Sequence, residues 1–252
     1  MNQETVNVIK GQSYTTKSGE LIPFTSTIDI GEAEFMSSLI KKYHPLRTIE
    51  IGCAEGASTL AILDSISGWT AHHNIIDPFQ STQWKNAGIK LIRDFGYSNY
   101  TLIEKKSEFA LPQLLEKNEK FDFALIDGYH TFDHTLLDAF YLIRMLNIGG
   151  VLVIDDVQMP AVNKCIRYLH NYPCLKYIGS SKSAEPTSAR KMFNLVKRSV
   201  SALSRILPSR MRSELLDGSV LKGDQQLGLI TTMYAFEKIK EDEREWNWWK
   251  PF

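Results

Sequence analysis

Two hydrophobic runs in the middle of the chain, residues 121–126 and 151–154, are each followed directly by acidic residues. These acids are Asp127 after the first run and Asp155 and Asp156 after the second. Between the runs, apolar residues of the segment 133–146 recur on about one helical face. Strand, helix and strand in this order form a right-handed crossover with parallel strands. The pattern therefore predicts an α/β sheet that gathers the acids at its carboxyl edge, where such sheets bind ligands.

Strand and helix patterns also alternate along most of the chain, which favours one α/β domain over residues 1–252. The expected strands are 47–51, 73–77, 100–103, 121–126, 151–154, 176–179 and 227–239. The expected helices are 29–43, 56–66, 83–95, 107–117, 133–146 and 160–170. Residues 1–46 form an N-terminal cap segment with a helix, and residues 183–226 are an insertion that does not fit the alternation.

The balance of charges restricts the class of partner. Lys and Arg number 29 and Asp and Glu number 29, so no overall field attracts nucleic acid, and we expect no nucleic-acid partner. No run approaches the roughly 18 apolar residues of a membrane span, and no signal core is visible, so a cytoplasmic location is expected. The three cysteines match no metal-binding or disulfide spacing, and we expect them to be reduced and buried.

The acidic residues of the predicted edge are suited to binding a hard cation. A single Asp after a strand is often only a helix cap or a turn residue. The adjacent pair Asp155 and Asp156 is harder to explain in that way, because two neighbouring carboxylates repel each other unless a cation lies between them. Carboxylate oxygens suit magnesium or calcium better than zinc. His130 lies three residues after Asp127 and is a nearby base, although it could instead cap the next helix, and His134 competes with it.

The segment 48–59 runs from a buried strand through a turn of small residues into a helix, as phosphate- and nucleotide-binding turns do. The dinucleotide fingerprint would need glycine at positions 52, 54 and 57, but Ala54 and Ala57 stand at two of them. The P-loop is excluded because no Gly-Lys-Ser/Thr follows. An oxidoreductase that uses NAD(P) is therefore an alternative with a weakened motif.

Glu50 at the strand end, the spacing from Gly52 to Gly56, and Asp77 after the second strand resemble the motifs of class I S-adenosylmethionine-dependent methyltransferases. The usual middle glycine of that family is Ala54 here. The resemblance implies a Rossmann-like fold with a seven-stranded, mostly parallel sheet of order 3-2-1-4-5-7-6 and helices on both faces. It also implies that Asp77 holds the ribose hydroxyls of S-adenosyl-L-methionine and that Ser107 contacts the adenine end. The implied cofactor-binding residues are Glu50, Gly52, Cys53, Ala54, Gly56, Asp77, Ser107 and Asp127.

Three segments, 76–79, 126–130 and 149–156, together resemble the metal-dependent O-methyltransferases that include the macrolide deoxysugar enzymes of the macrocin and mycinamicin type. The sugar enzymes often carry Glu-Asp where this chain has Asp155 and Asp156, and catechol-type relatives carry Asp-Asn. The resemblance implies that Asp127, Asp155 and Asp156 bind Mg²⁺ and that His130 is the general base. The implied acceptor is a hydroxyl of a sugar or a small natural product. Thr25, Ser26, Thr27 and Asp29 are expected on the acceptor side because of their position alone.

Two further segments remain open in function. Residues 190–212 carry seven Lys or Arg and no acid, with apolar residues at helical spacing, which suits a lid over the site or a peripheral contact with a membrane or partner. A non-catalytic membrane- or partner-binding module on a methyltransferase-like fold is thus the second alternative. The tail carries Trp246, Trp248 and Trp249, and we expect it to pack on the body, on a second subunit of a homodimer or on substrate.

Overall fold

A seven-stranded sheet forms the centre of the fold. The structure is a computed structural model that describes residues 1–181 and 222–252, with the single positions 192, 208 and 220. A short antiparallel hairpin, β1 (Ser13–Thr15) and β2 (Leu21–Pro23), precedes the sheet. The sheet strands are β3 (Arg47–Ile51), β4 (His72–Ile76), β5 (Tyr100–Ile103), β6 (Phe121–Ile126), β7 (Leu146–Ile154), β8 (Leu175–Ser180) and β9 (Tyr234–Lys238).

The strands lie in the order β5-β4-β3-β6-β7-β9-β8. Strand β9 is antiparallel to both neighbours, and the other pairs are parallel. When the sheet strands are numbered on their own, this order is 3-2-1-4-5-7-6, so the predicted fold is confirmed. The order reverses between β3 and β6, and that reversal opens a crevice at the carboxyl edge of the sheet.

Helices cover both faces of the sheet because the strands are apolar on both sides. The helices are α1 (Gln3–Gly11), α2 (Ile30–Tyr43), α3 (Ala57–Ile66), α4 (Ala87–Asp94), α5 (Ser107–Glu116), α6 (Phe132–Met145), α7 (Pro160–Leu169) and the short α8 (Asp224–Leu227). Ala124, Ile126 and Leu152 face α5, α6 and α7, whereas Phe123 and Leu125 face α2, α3 and α4. This alternation along each strand gives two buried cores, one on each face.

The structure corrects the boundaries of three predicted elements. The strand expected at 151–154 begins five residues earlier, at Leu146. The helix expected at 83–95 begins only at Ala87, because Lys85 and Asn86 have left-handed backbone angles (φ 50° and 59°). The strand expected at 227–239 is reduced to Tyr234–Lys238. Its first residue ends helix α8 instead, and Gly228 follows in the left-handed conformation that commonly terminates helices (φ 71°).

The cysteines and the aromatic tail are placed as expected only in part. Cys53, Cys165 and Cys174 are buried and unpaired, as predicted. In the tail, Phe252 stacks on Phe132 with 5.9 Å between ring centroids, but Trp246 is 93% exposed.

In the described part of the chain no helix is long and apolar enough to cross a membrane. Residues 182–221 lie outside the described residues except for positions 192, 208 and 220, so the predictions for the segment 190–212 and for most of the insertion 183–226 fall on residues that are not described.

Candidate active site

A cavity of about 310 Å³ opens at the carboxyl edge of β3, β4 and β6. Residues just past the strands continue the parallel ladder: the amide of Asp127 donates to the Ile51 carbonyl (2.9 Å) and that of Asp155 to the Ile126 carbonyl (3.0 Å). This continuation holds the residues that follow the strands at one edge. Of the residues predicted to bind the cofactor or the metal or to act as the base, those that line the cavity are Gly52, Cys53, Ala54, Asp77, Ser107, Asp127 and His130. Glu50, Gly56, Asp155 and Asp156 do not line it.

The turn after β3 lies directly against the loop after β6. Gly52 has φ 93°, and a Cβ at this position would lie 2.0 Å from the carbonyl oxygen of Asp127. A side chain at position 52 is therefore excluded both by the backbone angle and by contact with backbone atoms. Gly56 serves packing instead of the cavity, since its Cβ would lie 2.7 Å from the Cα of Gly88 in α4.

Asp77 holds the turn in place while its carboxylate lies in the cavity wall. The carboxylate accepts hydrogen bonds from the amides of Cys53 (3.1 Å), Ala54 (2.9 Å) and Phe79 (2.8 Å). Gln80, which the sequence did not single out, is fully buried and donates to the Ala54 carbonyl (2.7 Å) and to Asp77 Oδ2 (3.0 Å). The conformation of the turn thus depends on Asp77 and Gln80 together.

Glu50 lies beneath the turn, away from the cavity. It is fully buried, and its carboxylate accepts hydrogen bonds from Ser58 Oγ (3.1 Å) and from the Thr59 hydroxyl at the start of α3. His73 Nε2 lies 3.4 Å from Glu50 Oε1. The contacts of Glu50 stabilise the strand-to-helix turn, and Glu50 itself does not line the cavity.

Asp127, His130 and Asp156 form a cluster at one end of the cavity. One potential ligand atom of each residue lies within 4.8 Å of those of the other two. His130 Nδ1 lies 3.1 Å from Asp156 Oδ2. Asp156 has a left-handed backbone (φ 55°), and the amide of Asp156 donates to Asp155 Oδ1 (2.8 Å). The turn at Asp156 places the second acid of the pair beside His130, and the first, Asp155, is 8% exposed and lies outside the cluster.

Burial, and after it the charge of neighbouring acids, raises the pKa of three carboxyl groups near this edge. Asp127 is partly exposed to solvent. Desolvation by the surrounding protein nevertheless raises the pKa of its carboxyl group well above the usual range, and the negative charge of Asp156 raises it further. Burial and then the charge of Asp127 raise the pKa of Asp155 in the same direction. Burial also raises the pKa of Glu32 in α2, to which the charge of Asp156 contributes. The helix α2 therefore adds a carboxylate near the edge that the sequence did not indicate.

The cluster fits a divalent cation. The donor set is two carboxylates with one imidazole, and mutual repulsion of the carboxylates is what a cation would remove. Asp127 and Asp156 would be its ligands, whereas Asp155 is not a member of the cluster.

The structure separates the two histidines. Thr131 caps helix α6, and its side chain accepts from the amide of His134, so His130 is not the cap. The ring of His134 lies beside Thr131 Oγ1 (2.9 Å) and Asp133 (3.7 Å). Only His130 of the two lines the cavity.

Residues of the N-terminal segment close one side of the cavity. Ser26 and Thr27 line it. Thr25 is fixed by Glu55 of the turn, whose Oε1 accepts from the Thr25 amide (3.0 Å). Asp29 has a different role from the expected one, because it caps α2 in a capping box with Glu32.

The strand order and the cavity at the switch point define the class I methyltransferase fold. Residues 49–157 match the model of a family described as a methyltransferase domain. No curated protein matches the chain in sequence.

Solved structures share the fold at low sequence identity. A putative O-methyltransferase from Klebsiella pneumoniae has a TM-score of 0.57 at 16% identity, over 71% of this chain and 83% of that one. The O-methyltransferase from Bacillus cereus in complex with SAH has a TM-score of 0.54 at 16% identity, over 61% and 75%. TomG from Streptomyces achromogenes, an O-methyltransferase involved in tomaymycin synthesis and in complex with SAM, has a TM-score of 0.53 at 15% identity, over 61% and 74%.

Proposed function

We propose that this protein is an S-adenosylmethionine-dependent O-methyltransferase, assisted by a divalent cation, that methylates a hydroxyl of a sugar or small natural product. One observation carries the proposal: Asp127 and His130 belong both to the wall of the cavity and to the cation-type cluster. A cofactor in the cavity and an acceptor at the cluster would therefore be neighbours. The complexes of the Bacillus cereus enzyme with SAH and of TomG with SAM support the choice of cofactor.

The residues of the cavity suit a ligand with hydroxyl and amino groups. Asp77 offers a carboxylate for the ribose hydroxyls, and its bonds to the turn fix the carboxylate in position. Gly52 lets the backbone approach closely. Cys53, Ala54 and Ser107 complete the wall on this side.

His130 would take the proton from the acceptor. Its pairing with Asp156 assigns the N–H to Nδ1 and leaves Nε2 as the proton acceptor. A neutral imidazole alone is too weak to deprotonate an alcohol. When bound, the cofactor supplies an electrophilic methyl group, and a cation at Asp127 and Asp156 lowers the pKa of the acceptor hydroxyl. The protein's own part is to align the acceptor oxygen behind the methyl carbon and to remove its proton.

Isothermal titration calorimetry with S-adenosylhomocysteine and with NAD tests the cofactor. We expect S-adenosylhomocysteine to bind with a Kd in the micromolar range and NAD to show no heat of binding. Tight binding of NAD without binding of S-adenosylhomocysteine would favour the oxidoreductase alternative and contradict the proposal.

Substitution of Asp127 tests the cation. Asp127→Asn removes one of the two carboxylates of the cluster, and we expect Mn²⁺ affinity to fall at least about tenfold, which corresponds to a loss of about 1.4 kcal/mol or more of charge attraction. Calorimetry with Mn²⁺ measures the change. Asp133→Asn is the matched control, because Asp133 is an exposed acid near the same edge, and it should leave Mn²⁺ affinity unchanged. Equal affinities for the wild type and Asp127→Asn would contradict a cation site at this cluster.

A further inference from the structure

A buried chain of polar side chains connects strands β3 and β4 to the cavity wall. His73 and Glu50 are fully buried, and Ser58 of α3 is 4% exposed. Thr48 Oγ1 lies 2.8 Å from His73 Nδ1, and His73 Nε2 lies 3.4 Å from Glu50 Oε1. At the other end, Ser58 Oγ donates to Glu50 Oε2 (3.1 Å). Of these residues Ser58 lines the cavity, and the other three lie behind it.

The positions of the hydrogens follow from the contacts of Glu50. Both of its oxygens accept from hydroxyls, those of Ser58 and Thr59, which is the pattern of an ionised carboxylate. His73 Nε2 therefore carries a hydrogen, because a bare nitrogen lone pair at 3.4 Å would repel the carboxylate. Within the described residues this N–H makes no hydrogen bond of good geometry, so its attraction to Glu50 is electrostatic.

The chemistry proposed above uses neither His73 nor Glu50, and each of them costs free energy to bury. Their placement has a consequence at the cavity, because it fixes the direction of the Ser58 hydroxyl. A serine that rotates freely can donate to a carboxylate or accept from an amine. Ser58 Oγ, with its hydrogen held by Glu50, has only lone pairs to offer to a ligand.

We propose that His73 is a positioning residue for the cofactor: through Glu50 it holds the Ser58 hydrogen, so that Ser58 Oγ accepts from an ammonium group in the cavity. The N–H of His73 favours the charged form of Glu50, and a charged acceptor binds a hydroxyl more strongly than a neutral one. S-adenosylmethionine carries one ammonium group, at its amino-acid end. This inference rests on the proposed function, because it assumes that the cavity binds S-adenosylmethionine.

Two ligands separate the ammonium group from the rest of the cofactor. S-adenosylhomocysteine carries this group, whereas 5′-methylthioadenosine has the same nucleoside and sulfur but lacks the amino-acid end. Calorimetry gives the Kd of each. Ser58→Ala should weaken S-adenosylhomocysteine binding about tenfold and change the Kd of 5′-methylthioadenosine by less than about twofold.

His73→Asn and His73→Gln form a matched pair of variants. The Asn amide reaches only the position of Nδ1, whereas the Gln amide reaches that of Nε2 beside Glu50. His73→Asn should weaken S-adenosylhomocysteine binding about fivefold, and His73→Gln should stay within about twofold of the wild type. In the Ser58→Ala background, His73→Asn should change this Kd by less than about twofold, because His73 acts through Ser58. His72→Asn is the control, since His72 pairs with Thr101 Oγ1 (2.9 Å), and it should follow the wild type.

Three results would overturn the inference while the proposed function stays intact. Equal losses of affinity for the two ligands in His73→Asn would show that His73 only supports the turn. An effect of His73→Asn that is undiminished in the Ser58→Ala background would show that it does not act through Ser58. Wild-type affinity of Ser58→Ala for S-adenosylhomocysteine would remove the ammonium contact, and this result holds even if the His73 variants fail to fold. Absence of S-adenosylhomocysteine binding by the wild type would overturn both this inference and the proposed function.

Discussion

Replacing His130 with alanine should lower kcat for methyl transfer by roughly 10² to 10⁴-fold, the usual contribution of a general base. His130 lines the cavity, and Asp156 at 3.1 Å orients its ring. The loss should appear in kcat, because the imidazole acts on the acceptor proton and makes no required contact with the cofactor. S-adenosylhomocysteine affinity, measured by calorimetry on the same preparation, should change by less than about threefold.

His134→Ala is the matched control. His134 lies four residues further along and pairs with Thr131 and Asp133 outside the cavity, so kcat should stay within about twofold of the wild-type value. A large loss of kcat in His134→Ala with little loss in His130→Ala would show that the general base is His134 and that its assignment to His130 is wrong. A fall of cofactor affinity in His130→Ala that matches the fall of kcat would mean that the residue binds and does not catalyse.

Replacing Gly52 with alanine should abolish S-adenosylhomocysteine binding and lower the free energy of unfolding. The left-handed backbone costs a non-glycine residue about 1–3 kcal/mol. The contact of the new Cβ with the Asp127 carbonyl oxygen, 2.0 Å if nothing moves, adds a steric cost of at least about 1–3 kcal/mol. Relief of that contact requires the turn to separate from the loop after β6, and both segments form the cavity wall. Urea unfolding and calorimetry measure the two effects.

Gly149→Ala separates the two causes. Gly149 has a similar backbone angle, φ 86°, but a Cβ there meets nothing within 4 Å in the described residues. This variant should lose about 1–3 kcal/mol from the backbone angle alone and keep normal S-adenosylhomocysteine affinity. If Gly52→Ala and Gly149→Ala were equally stable and bound the cofactor equally well, the close approach of the two loops would not matter for the site.

The fold was predictable because periodicity and turn residues agree along the sheet. Strands β3 and β6 were placed at their observed bounds, and the parallel crossover brought Asp127 to the edge beside the second acidic run. The helix patterns were likewise correct to within one or two residues where a cap marks the end, as at Asp29 before α2.

The details of the site depend on contacts that sequence spacing does not encode. The left-handed backbone of Asp156 decides which of two adjacent acids joins the cluster. The side chain of Glu50 is held beneath the turn by two hydroxyls of α3 and lies beside a buried histidine of β4, and spacing along the sequence does not show that these elements meet. Gln80 binds both Asp77 and the Ala54 carbonyl, which requires the three-dimensional path of the loop after β4.

Anomalous diffraction from crystals grown with S-adenosylhomocysteine and Mn²⁺ tests the central claim most directly. We predict S-adenosylhomocysteine in the cavity beside Asp77 and Ser107, and an anomalous peak within about 2.0–2.4 Å of carboxylate oxygens of Asp127 and Asp156. An ordered cofactor with no anomalous peak at saturating Mn²⁺ would contradict cation assistance. A cavity that stays empty of S-adenosylhomocysteine would contradict the proposed methyltransferase activity itself.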